Sequence, residues 1–241
     1  MIRKAYPFPF PLRQETIAQQ RAVILSRLLA SDESFCQIPV RGVSQASLNL
    51  MLELYDSLFF SGCLRRLDIG VTLSSRLTSA AGKFLFVRGA FGQIKQAQIR
   101  MSSDFLLRLD EGPFELNGLS VATPQEAFLL VFEHELCHAA EALLYGQTGH
   151  SARFLSLASG LFGHTATRHK LPTRRIEAAR QGLLVGMTVS FPYDAMELTG
   201  VITYIGKMAT VMVPSAAGEY RDRRARCCAK YRVPLDRIRK V

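Results

Sequence analysis

The sequence has no Cys-x-x-Cys motif and no long apolar run, and both absences limit what the protein can be. Its cysteines are odd in number and scattered, and no Cys-x-x-Cys occurs, so neither a disulfide framework nor a zinc ribbon is indicated. We therefore expect a reducing, cytoplasmic location. Prolines interrupt the residues that follow the basic start, so no signal peptide is expected. No segment approaches the roughly 18 apolar residues of a membrane helix, and no membrane partner is predicted.

Positive charge is concentrated in the last third of the chain. Residues 1–164 contain 15 Lys and Arg against 14 Asp and Glu, a balance of +1. Residues 165–241 contain 15 against six, a balance of +9. Such an asymmetry points to a polyanionic partner, and nucleic acid is the first candidate. We expect contact through Arg221, Arg223, Arg224 and Arg226, although a solvated charged hairpin would show the same pattern.

One short motif indicates chemistry. His134-Glu135-Leu136-Cys137-His138 is a His-Glu-x-x-His sequence, which on a helix places both imidazoles on one face. Two histidines and one further ligand leave one tetrahedral zinc position open, as in catalytic zinc sites. The intervening Glu135 is then the expected general base. Cys137 is expected to be a small buried residue rather than a ligand.

The third ligand is predicted to be His150. The preceding Gly149 favours it, because glycine lets the backbone approach closely. The rival ligands are Glu141, one turn after His138, and the later His164 and His169.

The motif is predicted to lie in one long buried helix, residues 124–145. Thr123-Pro124-Gln125-Glu126 forms a capping box with proline at the first helical position, and Gly146 is a plausible stop. Before it, the pattern predicts helices from Glu15 to Leu29 and from about Ser44 to Gly62, and a short one from Ser103 to Arg108. Predicted strands are Asp68–Leu73, Ala80–Val87 and Gln98–Met101, and 111–121 is predicted to be loop. A further helix is expected from Ser151 to Leu161.

After residue 164 the pattern changes. Residues 168–180 are polar and basic and are predicted to be a linker. Short runs rich in β-branched and aromatic residues follow, which favour a small all-β barrel. The expected division is an N-terminal arm and helix (1–43), a catalytic domain (44–166), a basic linker (167–183) and a barrel (184–241).

Residues 44–163 resemble the SprT-like metalloproteases, the group that includes the Spartan-type proteases. Leu54–Gly62 is similar to the first-helix signature of that family, Ser79–Phe84 to its Ala-Gly strand element, and Ile99–Ser102 to the strand before the motif helix. His134–Ala140, followed by Gly149-His150 and Phe154, resembles its zinc motif.

The resemblance implies an α+β fold, a helix-rich zincin-type domain with a small sheet. It also implies zinc ligands at His134, His138 and His150, with Glu135 as the catalytic acid/base. Many members of the family end in a cysteine-rich zinc ribbon, which this chain lacks. Its last region instead resembles an SH3-like or KOW-like barrel.

The expected function is zinc-dependent hydrolysis of peptide bonds in a protein substrate, including proteins held on DNA. An extended substrate is expected to pair with a sheet edge, for which Gln98–Met101 is the candidate strand. Two alternatives stay open. One is a nucleic-acid-associated binding factor whose protease site is little used, and the other is a zinc hydrolase that acts on something other than protein.

Overall fold

The computed structural model describes residues 6–38, 40–78, 80–91, 93–109, 112–167, 174–222 and 224–241. The chain forms two compact units, residues 1–171 and residues 172–241. Each unit contains a hydrophobic core of its own. Helices account for 39% and strands for 29% of the structure, which confirms the mixed α+β class.

The first unit is rich in helices that pack around one buried helix. Its described helices are α1 (Gln14–Ser31), α2 (Glu33–Cys36), α3 (Gln45–Phe60), α4 (Ser103–Leu106), α5 (Pro124–Tyr145) and α6 (Ala152–Phe162). On α1 the buried side chains are Ile17, Ile24 and Leu28, whose spacing of seven and four residues gives one apolar face. Helix α5 is buried on all sides along most of its length, which places it at the centre of this core.

A small sheet packs against α5. Its strands are β1 (Ile69–Ser74), β2 (Gly82–Arg88) and β3 (Ile94–Ser102), in the order β1-β3-β2. Strand β3 pairs in parallel with β1 and antiparallel with β2. A separate hairpin is formed by β4 (Phe114–Leu116) and β5 (Leu119–Val121).

The second unit is a six-stranded antiparallel sheet with one short helix, α7 (Arg174–Arg180). The strands are β6 (Thr188–Tyr193), β7 (Met196–Ile205), β8 (Met208–Pro214), β9 (Tyr220–Arg221), β10 (Cys227–Pro234) and β11 (Arg239–Lys240). Their order is β11-β6-β7-β8-β10-β9, and among the described residues the two outer strands do not pair with each other. The sheet is therefore open, and a closed SH3-like or KOW-like barrel stays a prediction.

Two expectations about the first unit were wrong. Gln98–Met101 lies in β3, which is paired on both sides and is therefore not a sheet edge. Residues 114–121, expected to be loop, form the β4–β5 hairpin. The turn of that hairpin is Asn117-Gly118, and both residues have positive φ, as a two-residue hairpin turn requires. The predicted linker contains α7, although residues 168–173 lie outside the described part of the chain.

Helix α5 is the longest described helix, but it carries several charged and imidazole side chains. No helix within the described ranges is both long enough and apolar enough to cross a membrane.

Candidate metal centre

Helix α5 holds the His-Glu-x-x-His motif in a rigid, buried position. The capping box is formed: the Thr123 side chain accepts from the backbone N–H of Glu126, and the Glu126 carboxylate accepts from that of Thr123. Gly146 ends the helix at a φ of 66°, a left-handed conformation that glycine adopts without strain. The predicted bounds of this helix, residues 124–145, are those of the structure.

Three imidazoles converge at the C-terminal half of α5. His134 and His138 project from the helix, and His150 comes from the loop between α5 and α6. One ring nitrogen of each lies within 4.8 Å of the others, so the three could hold a metal ion. The His134 side chain is 5% and that of His138 9% exposed, whereas His150 is exposed, so the cluster opens to solvent on the His150 side.

The donor set fits zinc. The Nε2 atoms of His134 and His150 are 3.0 Å apart. Two nitrogens that bind one tetrahedral zinc, at about 2.0–2.1 Å each, are separated by about 3.3 Å, so this spacing needs only a small adjustment. Three neutral imidazoles are also ligands that zinc accepts in catalytic sites, where a fourth position stays open.

His138 is oriented by a hydrogen bond on the far side of its ring. Its Nδ1 lies 2.6 Å from the hydroxyl oxygen of Thr148, which leaves Nε2 free to face the cluster. Burial, with a smaller contribution from the neighbouring His150, lowers the pKa of His138 to about 4. The ring is therefore neutral at pH 7, which is the form that binds a metal.

Glu141 fixes the loop that carries His150. Its Oε2 accepts a hydrogen bond of 2.8 Å from the backbone N–H of Gly149, and its Oε1 accepts from the Ser151 hydroxyl at 3.3 Å. The carboxylate thus binds the residues on both sides of His150. The sequence left Glu141 as a rival ligand, and the structure gives it this supporting contact.

One aromatic ring packs against all three imidazoles of the cluster. Phe154, in α6, is fully buried, and its ring centroid lies 4.9, 4.5 and 5.0 Å from those of His134, His138 and His150. It packs under all three imidazoles and closes that side of the cluster to water.

Glu135 faces β2 rather than the other motif residues. Burial raises the pKa of Glu135 to about 8, against a smaller opposing effect of the nearby Phe84 backbone N–H. A Cβ atom built on Gly82 would lie 2.7 Å from Oε1 and 2.8 Å from Cγ of Glu135. Only glycine leaves the carboxylate this position, and the side chain is thereby held between α5 and β2.

A buried carboxylate that the sequence analysis missed lies one residue before the motif. Both oxygens of Glu133 accept hydrogen bonds from Arg21, at 2.7 and 2.8 Å, and the Tyr55 hydroxyl donates at 2.9 Å. His164 Nε2 lies 2.9 Å from the same carboxylate. Burial alone would raise the pKa of Glu133, but Arg21 and His164 hold it below its ordinary value.

This network ties α1, α3, α5 and the end of α6 together. It also gives His164 a partner outside the cluster, so the structure does not bring this rival ligand to the other imidazoles. His169 lies outside the described residues. The sequence did contain a signal for this network. Glu133 is a charged residue at the end of an apolar run, and a buried glutamate needs a cationic partner.

The predicted arginine patch is only partly available for a ligand. Arg226 forms an ion pair with Asp222 at 2.7 Å, and the Arg221 guanidinium donates to the carbonyl of Ala225 at 2.8 Å. These contacts hold the turn between β9 and β10. Arg224 is exposed, and Arg223 lies outside the described residues.

In comparisons with known proteins, the model of the SprT-like family matches residues 48–175. This is more than half of the chain, and it includes α5, α6 and the three imidazoles. No curated protein and no solved structure matches the chain. The match ends before β6, so it does not bear on the predicted barrel.

Proposed function

The chain belongs to the SprT-like family, and on that premise we propose that it is a zinc-dependent metallopeptidase that hydrolyses peptide bonds. The observation that carries the proposal is the position of Glu135. Glu135 directly follows His134 in the sequence. Its carboxylate lies against Phe84 and Gly82 on β2. This position supports Glu135 as the general base for the metal site that the three imidazoles can form.

The proposed chemistry divides between the metal and the protein. Zinc, when bound by His134, His138 and His150, supplies a Lewis acid that polarises the scissile carbonyl and makes water more acidic. Glu135 takes the proton of the attacking water on its carboxylate and passes it to the nitrogen of the leaving amine.

An extended substrate is proposed to pair with β2. Strand β2 is an outer strand of its sheet, and the Phe84 N–H that points away from β3 is the one that reaches Glu135. In an antiparallel ladder alternate residues point the same way, so the N–H and C=O of Phe86 are directed to that edge too. A peptide that adds a strand there would run past the general base. This replaces β3, the strand predicted from sequence.

A nucleic-acid partner is proposed for the second unit. Residues 172–241 contain 13 Lys and Arg against six Asp and Glu, a balance of +7. Such a surplus favours a polyanion, because neutralised phosphates release counterions. Proteins held on DNA are the proposed substrates, with zinc as the cofactor and the cytoplasm as the location.

The test is digestion of casein and of histones by the purified full chain with zinc, with and without DNA. The proposal expects cleavage that stops on chelation and that falls about 10²–10⁴-fold in Glu135→Gln, while that variant keeps its zinc and its fold. Near-normal turnover in Glu135→Gln removes Glu135 from the mechanism. No cleavage of any protein by the zinc-loaded chain favours the binding factor with a little-used site instead.

A further inference from the structure

One face of the second unit's sheet carries aromatic and basic side chains together. Tyr204 in β7 and Arg232 in β10 both pair with Thr210 in β8, so the three lie in one row across three strands. In the next row Lys230 pairs with Met212. Two residues further along β10, Cys228 pairs with Tyr220 in β9. Because side chains alternate along a strand, these rows share one face, which we call the outer face.

The opposite face of the sheet is the core of the unit. Val211 and Ile202 are paired across β7 and β8 and are fully buried. On the outer face the exposed fractions of Tyr204 and Tyr220 are 56% and 46%. In a regular strand Tyr204 would share the buried face with Ile202. A β-bulge at Thr203 adds one residue to β7 between them, so Tyr204 lies on the outer face.

The positive charges of the outer face are not neutralised by neighbours. In the part of the chain that the structure describes, Lys230 and Arg232 make no ion pair, and Lys230 lies 5.4 Å from the Tyr220 ring centroid. Glu197, the acidic residue on the same side of β7, accepts from Ser190 and lies 3.4 Å from Arg239. Among the described residues Lys230 and Arg232 therefore have no carboxylate partner, unlike Arg226, whose charge is paired with Asp222.

The two tyrosine rings are separated by a distance that suits several nucleotides. Four residues along β8 and three strand spacings across the sheet place Tyr204 and Tyr220 about 20 Å apart, with Arg232 and Lys230 between them. The Tyr204 ring lies close to Gly206, where an added Cβ atom would be 2.8 Å from the ring. An aromatic ring at each end and cations between them match the stacking platforms and charged grooves that bind single strands.

We propose that the outer face binds single-stranded nucleic acid, with bases stacked on Tyr204 and Tyr220 and phosphates on Arg232 and Lys230. Unpaired bases expose faces on which a tyrosine can stack, whereas the bases of a duplex are already stacked on each other. The described residues of the second unit also include no helix longer than the seven residues of α7 that could enter a major groove. The inference rests on the proposed nucleic-acid contact and names its form and its place.

The test measures binding of the full chain to four fluorescent probes at one salt concentration. They are a 12-nucleotide thymidine oligomer, its abasic counterpart with the same phosphates, a 12-base-pair duplex and a 12-nucleotide uridine oligomer. The variants are Tyr204→Ala with Tyr220→Ala, the same pair changed to Phe, and Lys230→Ala with Arg232→Ala. Arg237→Ala is the matched charge control, because Arg237 is exposed and lies outside the outer face.

We expect the thymidine oligomer to bind more tightly than the duplex or the abasic strand. The double Tyr→Ala variant should bind that oligomer at least roughly 5- to 150-fold more weakly, the loss expected for one stacked base, whereas the Phe pair should bind as the unchanged protein does. The Lys230 and Arg232 pair should weaken the abasic and thymidine strands alike and flatten the salt slope by about 1.4 for two phosphates. Equal binding of the thymidine and uridine oligomers means that the outer face does not distinguish a DNA strand from an RNA strand.

Three results would overturn the inference in distinguishable ways. If the folded double Tyr→Ala variant binds the thymidine oligomer as tightly as the unchanged protein, the two rings do not contact nucleic acid. If the duplex binds best and does so in every variant, the nucleic-acid contact of the proposed function survives but this face is not its site. If the unchanged chain binds none of the probes, both the proposed nucleic-acid contact of the second unit and this site are ruled out.

Discussion

The Gly149 backbone N–H donates a hydrogen bond of 2.8 Å to Oε2 of Glu141, so one carboxylate on α5 holds the residue next to His150. His134 and His138 are fixed by the helix itself, but His150 sits in a loop and depends on this contact. The second bond, from Ser151 to the same carboxylate, fixes the other side of the loop. The position of His150 is thus set from within the motif helix.

Replacement of Glu141 by alanine should therefore weaken zinc binding. Loss of a group that orients a ligand typically costs 10- to 100-fold in metal affinity. Glu141→Gln should bind nearly normally, because the amide oxygen can still accept from Gly149, and Ser151→Ala should show a smaller loss. Competition with a calibrated chelator measures each affinity. Unchanged affinity in Glu141→Ala would mean that the loop holds His150 without this carboxylate.

Zinc occupancy should distinguish the three histidines of the cluster from His164. His134→Ala, His138→Ala and His150→Ala should each lose stoichiometric zinc, because each contributes one nitrogen of the cluster. His164→Ala should keep zinc and lose thermal stability, since His164 contacts Glu133 instead. Metal analysis of the dialysed variants gives the answer. Full occupancy in His150→Ala would show that the third ligand is another residue.

Gly82→Ala tests the position of the general base without touching it. The added Cβ would meet Glu135 at 2.7–2.8 Å, so the carboxylate must move. A displacement of about 1 Å can cost roughly 10²-fold in rate, and we expect a loss of that order in kcat with zinc retained. Gly70→Ala in β1 is the control, because nothing lies within 4 Å of its added Cβ. Equal activity of the two variants would mean that Glu135 needs no fixed position against β2.

Much of the site could be predicted because its signals are local. The capping box, the proline and Gly146 mark the ends of α5 within the sequence itself, and the four-residue spacing places two imidazoles on one face. The strand order could not be predicted in this way. Whether β3 is central or outer depends on its pairing with β1, whose partners lie 28 positions away, and a single sequence does not show that pairing. The predicted edge strand was wrong for that reason.

Other features had signals that went unused. Asn117-Gly118 is flanked by Leu116 and Leu119, and that pair is a strong hairpin signal. Glu133 stood in an apolar run, and its burial required partners, but nothing in the sequence says that Arg21, 112 residues away, supplies the charge. Long-range polar pairs of this kind need the fold before they can be assigned.

Glu133 should control stability at acid pH. Its pKa in the folded protein lies below the ordinary carboxyl value, so its contribution is fully present above about pH 4.3, the unfolded value, and is lost as pH falls further. Glu133→Gln leaves the Arg21 charge without its partner and should destabilise the fold by about 3–5 kcal/mol. The acid-induced loss of stability should also be shallower in this variant. Denaturant unfolding between pH 3 and 7 measures both effects, and identical pH profiles would contradict the assignment.

Removal of the second unit should separate peptide cleavage from nucleic-acid contact. A chain that ends at residue 171 keeps the whole first core and the three imidazoles, so it should retain zinc and cleave casein. It loses a balance of +7 and should therefore lose most of its affinity for DNA, together with the salt dependence of that affinity.

Proteolysis of a substrate that is held on DNA should then fall far more than proteolysis of a free substrate, because only the former depends on recruitment. The comparison uses one substrate protein, free and linked to an oligonucleotide, digested by the full and the shortened chains. If the shortened chain binds DNA as tightly as the full chain at the same salt, the charge of the second unit does not recruit nucleic acid. A protein-docking role for its sheet would then follow.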